Sequence, residues 1–128
     1  MTSITPVATH GAEYLRLLDA KDEAAIGGLL TDDAQLVDEI TRHWVRGPSA
    51  IGVALRTIFS RVSDVHSTAE DGHVVRWGDV EVETFVLNQT YDLEGVTMRV
   101  VSPTTLVWRR VAGVWKLALI QSIPTGGG

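Results

Sequence analysis

Hydrophobic periodicity changes character halfway along this chain of 128 residues. In the first half, apolar side chains recur every three or four positions, which is the spacing of amphipathic helices. From Asp64 onward, runs rich in Val, Thr and aromatic residues alternate with Gly-containing dipeptides, a pattern typical of β-hairpins. Helices followed by a strand meander predict an α+β domain whose antiparallel sheet carries its helices on one face.

Three helices are predicted in the first half. The first begins at Thr5-Pro6, where a hydroxyl cap precedes a proline, and it places Tyr14 on its buried face. Asp22 caps the second helix, and Gly47 precedes the third. Five strand runs follow at 65–69, 73–77, 80–91, 96–110 and 114–123, with turn signals at Asp71-Gly72, Gly78-Asp79, Glu94-Gly95 and Ala112-Gly113.

The extended segment between the second and third helices ends in an acidic residue. Side chains alternate along a strand, so Ala34, Leu36 and Asp38 share one face. If that face is the core, Asp38 is an inward carboxylate, which is costly unless it is paired, hydrated or used. Asp also commonly starts turns, so a purely structural role for Asp38 stays open.

Composition excludes several classes of function. The net charge is −5 and the basic residues are scattered, which argues against binding nucleic acid or an anionic membrane surface. The chain has no cysteine, so disulfides and thiol nucleophiles are excluded, and its histidines fit no metal-binding motif. No phosphate-binding glycine pattern is present, and we expect neither a metal nor another cofactor.

The same composition predicts where the chain works and how it is organised. The N-terminal residues lack the apolar stretch of a signal peptide, and no apolar run approaches the roughly 20 residues of a membrane span. We therefore expect a cytoplasmic protein with no membrane partner. One domain is expected over residues 1–128, with its core at about 7–124 and a flexible tail at 125–128.

Apolar side chains occur on both faces of the predicted sheet. The run 80–91 carries Val80, Val82 and Val86 on one face, and Phe85, Leu87 and Tyr91 on the other, together with Glu81 and Glu83. In the last run, Trp115, Leu117, Leu119 and Gln121 share a face, so Gln121 is expected to point inward. The helices cover only one face, so we expect the outer sheet face to bind a second copy and form a homodimer.

Four local motifs, each weak alone, occur in an order that resembles one superfamily. They are Tyr14…Leu18-Asp19-Ala20-Lys21-Asp22…Ile26, the strand entry L-T-D-D-A-Q-L-V-D at 30–38, G-P-S-A-I at 47–51, and G-V-W-K-L…Q-S-I-P at 113–124. The chain resembles SnoaL-like proteins of the SgcJ/EcaC type, within the nuclear transport factor 2-like, or cystatin-like cone, superfamily. The resemblance implies a cone-shaped, curved antiparallel sheet with three N-terminal helices on its concave face.

The resemblance also implies site residues. Partial similarity to ketosteroid isomerase matches Asp38 to a proton-shuttling base and Tyr14 to an oxyanion-hole donor. The second acid of that enzyme, after V-V-x-P, is replaced by Thr105, and Gln121 stands where many relatives carry His. The expected substrate-binding residues are Thr105, Gln121, Trp44, Trp108, His43 and Arg99.

These residues predict a small-molecule pocket with acid–base chemistry of the isomerase, cyclase or dehydratase type. The substrate implied by the resemblance is an apolar carbonyl compound, such as a polyketide- or steroid-like metabolite. Two alternatives stay open, namely a non-catalytic binder or carrier of an apolar metabolite, and a dimeric assembly module.

Overall fold

The computed structural model describes residues 9–38 and 42–125. Its helices are α1 (Thr9–Asp19), α2 (Glu23–Leu29) and α3 (Pro48–Phe59). Its strands are β1 (Leu30–Val37), β2 (Trp44–Arg46), β3 (Val62–Trp77), β4 (Val80–Leu93), β5 (Val96–Val111) and β6 (Val114–Ser122). Among the described residues, no helix is long and apolar enough to cross a membrane.

The strands form one curved, unclosed sheet in the order β2-β1-β6-β5-β4-β3. The predicted α+β class and the three helices on a curved sheet are confirmed. One pairing departs from a purely antiparallel sheet, because β1 runs parallel to β6.

The predicted helix start at Thr5-Pro6 lies outside the described residues, as do 126–128 of the expected tail. Thr125, also expected in the tail, donates its backbone N–H and its hydroxyl to the Val101 carbonyl at 3.0 and 2.9 Å.

One predicted hairpin turn is instead an irregularity inside a long strand. Asp71-Gly72 lies within β3, where Glu70 pairs with Val86 and His73 pairs with Thr84. Three steps along β3 therefore match two along β4, and the extra residue is accommodated by a bulge in which Asp71 has φ +57°. The prediction of a turn here is wrong, because a turn dipeptide also suits a bulge that needs a left-handed backbone.

The core lies between the helices and one face of the sheet. Each of its larger apolar side chains contributes roughly 1.5–3 kcal/mol by leaving water. The helices contribute Tyr14, Leu15, Leu17, Ile26, Ile51 and Leu55, and the sheet contributes Ala34, Leu36, Phe85, Leu87, Leu106, Trp108, Leu117 and Ile120. We call the sheet face that carries these residues the inner face and the opposite face the outer face.

Polar contacts fix the helices relative to one another. Lys21 Nζ donates to the carbonyls of Phe59 and Val62 at 3.2 and 2.7 Å, which ties the α1–α2 turn to the end of α3. Arg56 on α3 donates to the carboxylate of Glu23 on α2, and these hydrogen bonds raise the pKa of Arg56. The three helices are thereby held together where they cover the inner face.

Candidate functional site

Asp38 directly follows Val37, the last residue of β1, which pairs with Trp44 of β2. Ala34 and Leu36 are 1% and 9% exposed, which confirms that this alternating set faces the core. Asp38 is half-buried and continues that set. Its backbone N–H donates to the His43 carbonyl at 2.9 Å, and its carbonyl accepts from Arg42 at 2.8 Å. These two hydrogen bonds fix the backbone from which the Asp38 carboxylate projects.

Tyr14 lies on the buried side of α1, as its helical spacing predicts. It is 5% exposed and belongs to the same core cluster as Trp108, which is 1% exposed on β5. Of the residues expected at the site, Tyr14 and Trp108 are thus brought together between α1 and the inner face.

His43 and Trp44 lie beside Asp38 and are both exposed. His43 is exposed, and Trp44, on the edge strand β2, is 44% exposed. The structure places both at the rim next to Asp38. Among the residues it describes, no three His, Asp or Glu side chains are grouped as a metal site would require.

Arg99 and Thr105 lie on the outer face, which corrects their expected position. The pairing of β4 with β5 runs from Val80–Arg109 to Leu93–Val96 without any register shift. The faces of β5 therefore alternate strictly, and odd-numbered residues lie opposite to Trp108. Pro103 produces no bulge, and the buried hydroxyl on the inner face belongs to Thr104, which is 3% exposed.

Gln121 also lies on the outer face, so the prediction that it points inward with Trp115 is wrong. Val107 pairs with Leu119, whereas Trp108 pairs with Leu117, so Ala118 is one extra residue in β6. This bulge reverses the faces of the strand beyond it. Ile120, 3% exposed, replaces Gln121 in the core.

A cavity lies on the outer face where these polar residues meet. Thr84, Thr105 and Gln121 are directly paired across β4, β5 and β6 and form one row. The cavity is lined by Asp71, Thr84, Phe85, Val86, Pro103, Thr104, Thr105, Gln121 and Ile123. Two of the expected substrate-binding residues, Thr105 and Gln121, therefore lie together, but on the face of the sheet that the helices do not cover.

Two buried glutamates on the inner face were not identified from the sequence. Glu81 and Glu83 on β4 are 2% and 1% exposed, and they share their face with Phe85 and Leu87. The indole Nε1 of Trp108 donates to Glu83 Oε1 at 3.1 Å. Burial of a carboxylate is costly without such partners. The alternation with Phe85 was visible in the sequence, but the valines on the opposite face obscured which face was inner.

Glu81 is part of a second group of polar and aromatic side chains near the start of α1. Arg76 donates to Glu81 Oε2 through Nε at 3.1 Å and Nη2 at 2.8 Å. Glu81 Oε1 lies 3.9 Å from His10 Nε2. The His10 ring centroid lies 5.3 Å from that of Trp108 and 5.6 Å from that of Trp115. We call His10, Glu81, Glu83, Trp108 and Trp115 the α1–β4 cluster.

Comparison with known proteins agrees with this architecture. The family model of the SnoaL-like domain matches residues 7–125. A nuclear transport factor 2-like family protein from Streptomyces avermitilis superposes with a TM-score of 0.82 at 17% identity, covering 90% of each chain. A ketosteroid isomerase-like protein from Erwinia carotovora atroseptica gives 0.80 at 20% identity and 91% of each chain.

A third solved structure, a nuclear transport factor 2-like superfamily protein from Salmonella enterica serovar Typhimurium, gives a TM-score of 0.80 at 19% identity. The alignment covers 94% of this chain and 90% of that one. No curated protein sequence matches the chain significantly. At these identities the solved structures establish the shared fold alone. The family model spans nearly the whole chain, and the protein therefore belongs to the SnoaL-like domain family.

Proposed function

We propose that this domain binds a small apolar carbonyl compound between its helices and the inner face and moves a proton on it. The observation that carries the proposal is the placement of Tyr14, a phenol 5% exposed on the side of α1 that faces the sheet. Asp38 directly follows β1 and is half-buried, and by alternation it continues the set of Ala34 and Leu36, which faces the same core. A carboxylate and a phenol that face one apolar interior are the groups that enolisation requires.

Asp38 acts as the base in this proposal. It takes a proton from the carbon next to the carbonyl, and the electron pair of that C–H bond shifts toward the carbonyl oxygen. The Tyr14 hydroxyl donates a hydrogen bond to that oxygen as its negative charge develops. Return of the proton to another carbon gives isomerisation, and attack of the enolate on a second carbonyl gives cyclisation.

The surrounding side chains complete the proposed pocket. Trp108, 1% exposed, forms an apolar wall on the inner face, whereas His43 and Trp44 lie at the rim beside Asp38. Arg99, Thr105 and Gln121 have no part in the proposed pocket, because they lie on the outer face. The polyketide- or steroid-like character of the substrate remains part of the proposal, supported by the apolar lining of the interior.

Proton exchange of a ketone tests this proposal without knowledge of the natural substrate. We expect the wild type to accelerate exchange of the α-protons of 2-tetralone in D₂O, followed by ¹H NMR, and Asp38→Asn to remove most of the acceleration. Asp64→Asn is the matched control, because Asp64 has a side chain 73% exposed in a left-handed backbone position that Asn tolerates. Exchange at the buffer rate with the folded wild type counts against the proposal.

We also propose that the outer face forms a homodimer interface, because it carries an unbroken apolar row. Val75, Val82, Val107 and Leu119 are paired in succession across β3, β4, β5 and β6. The described helices pack on the other face. A contiguous apolar surface of this kind is typical of a protein–protein contact.

A charge placed in this row is expected to disrupt the dimer. Val107 lies within the row, so Val107→Lys would place an ammonium group in the contact, where its desolvation is costly. We expect sedimentation velocity to show a dimeric wild type and a largely monomeric variant. Val53→Lys is the control, since Val53 is 55% exposed and belongs to α3, which packs on the inner face of the sheet. A wild type that stays monomeric at every concentration, or a variant that stays dimeric, contradicts this interface.

A further inference from the structure

One buried glutamate of β4 faces the His10 imidazole directly, and the other holds the indole that packs against it. Glu83 accepts a hydrogen bond from the indole of Trp108, and Trp108 packs against His10 at a centroid distance of 5.3 Å. Glu81 faces His10 directly, with Oε1 3.9 Å from Nε2. Burial of a carboxylate in an apolar core is costly, and a role in holding His10 accounts for the burial of Glu81.

The position of His10 is fixed from several directions. Arg76 binds the other oxygen of Glu81, so this carboxylate is held in place and presents Oε1 to the imidazole. Trp108 and Trp115 flank the ring, and the guanidinium groups of Arg76 and Arg110 lie 5.0 and 5.3 Å from the Trp115 ring. A side chain held in this way has few alternative orientations, which is a property of catalytic groups.

His10 is also accessible, unlike the glutamates that surround it. Its side chain is 29% exposed, whereas that of Glu81 is 3% exposed. Glu81 Oε1, 3.9 Å from Nε2, gives the imidazole a charged partner at ion-pair distance. His10 therefore has the arrangement of an imidazole that exchanges protons with solvent or with a ligand while its carboxylate partner stays buried.

Tyr14 connects His10 to the proposed pocket. The two residues are four positions apart on α1, so their side chains lie on the same face of the helix, one turn from each other. Both Tyr14 and Trp108 belong to the core cluster between α1 and the sheet. A ligand that reaches the Tyr14 hydroxyl therefore has His10 one helical turn closer to the start of α1.

We propose that His10 is a second proton-transfer residue of this interior and that Glu81 is its positioning residue. The inference rests on the proposed function and narrows its substrate class to an apolar carbonyl compound with a further oxygen substituent directed at His10. His10 exchanges a proton with that oxygen while Tyr14 binds the carbonyl oxygen. The charged and titratable groups around His10 are Arg76 on β3, Glu81 and Glu83 on β4, Arg110 on β5 and Tyr14 on α1.

The pH dependence of benzisoxazole elimination tests this role. In that reaction a base removes the C3 proton, the C–H electron pair forms the nitrile, and the N–O bond breaks to give 2-cyanophenolate, which a nearby acid protonates. We expect the pH–rate profile of the wild type to contain a limb, a pH range over which the rate changes, that is absent from the profile of His10→Gln. We also expect His10→Gln to lower the rate about tenfold or more. Glu81→Gln keeps the imidazole but removes its charged partner, so we expect it to displace that limb along the pH axis.

A second histidine provides a matched control. His66 Nε2 lies 3.4 Å from Asp64 Oδ1, but both side chains are 73% exposed. This pair therefore has the same functional groups as His10 and Glu81 but is not held among buried side chains. We expect His66→Gln to leave the rate and its pH profile unchanged. Arg76→Gln is the second variant, to be used if Glu81→Gln does not fold. It removes the guanidinium that binds Glu81, and the Arg76 side chain is 56% exposed, so its replacement leaves no buried cavity. We expect it to displace the same limb.

The outcomes separate this inference from the proposed function. An active wild type whose pH profile is unchanged in His10→Gln overturns the role of His10 and leaves proton transfer by Asp38 intact. A displaced limb in Glu81→Gln or Arg76→Gln supports positioning, because a purely structural change lowers the rate without moving the profile. A folded wild type with no elimination above buffer overturns the proposed function, and the role of His10 fails with it.

Discussion

Replacing Trp108 by alanine is expected to lower the free energy of unfolding by about 3–5 kcal/mol, the cost of removing a large aromatic side chain from a packed core. Trp108 is 1% exposed and is the largest fully buried side chain among the described residues. The substitution leaves a cavity between α1 and the inner face. It also removes the indole that donates to Glu83 at 3.1 Å, so the carboxylate loses a hydrogen bond in a buried position.

Urea unfolding of three variants separates these contributions. Trp108→Phe keeps most of the ring but removes the N–H donor, so it is expected to cost about 1–3 kcal/mol. Trp77→Ala is the control, because Trp77 is 63% exposed, and surface substitutions usually change stability by no more than about 0.5 kcal/mol. Equal decreases in the free energy of unfolding for Trp108→Ala and Trp77→Ala would contradict the assignment of Trp108 to the stabilising core.

The fold could be predicted because its signals are periodic and local. Helical spacing placed Tyr14 on the buried side of α1, and alternation placed Ala34 and Leu36 in the core. Asp22 caps α2 as predicted, accepting from the Ala25 N–H at 3.1 Å. Each of these features depends on neighbours within one helical turn or one strand, so a single sequence contains the information needed.

The positions of Gln121 and Thr105 show where such reasoning fails. A strand has a period of two, so one inserted residue reverses every side chain beyond it. The extra residue at Ala118 in β6 is set by pairing with β5, and no local signal marks it. Thr105 is on the outer face for the opposite reason, because β5 continues through Pro103 without the bulge that would have turned it inward.

The buried glutamates were missed for a different physical reason. A charged side chain among strand residues usually marks the solvent face, and Glu81 and Glu83 alternate with valines. The valines instead cover the outer face, and the glutamates are stabilised inside by Arg76 and by the indole of Trp108. These partners come from other strands, so their positions follow only from the three-dimensional pairing.

Replacing Asp38 by asparagine is expected to lower the rate of benzisoxazole elimination by about 100-fold or more, within the usual range of 10²–10⁴ for a positioned base. Asparagine has nearly the same shape but cannot accept the proton. The hydrogen bonds of Asp38 N–H to the His43 carbonyl and of Arg42 N–H to the Asp38 carbonyl involve main-chain atoms, which asparagine retains. Circular dichroism of the variant checks that it is folded before the rates are compared.

The elimination rate of the wild type, compared with those of Asp38→Asn and Asp64→Asn, tests the central claim most directly. It needs no knowledge of the substrate, and Asp64, with its side chain 73% exposed, controls for the loss of any one carboxylate. We expect a rate well above buffer for the wild type and Asp64→Asn and a large loss for Asp38→Asn. A folded Asp38→Asn protein that eliminates as fast as the wild type would contradict the assignment of Asp38 as the base.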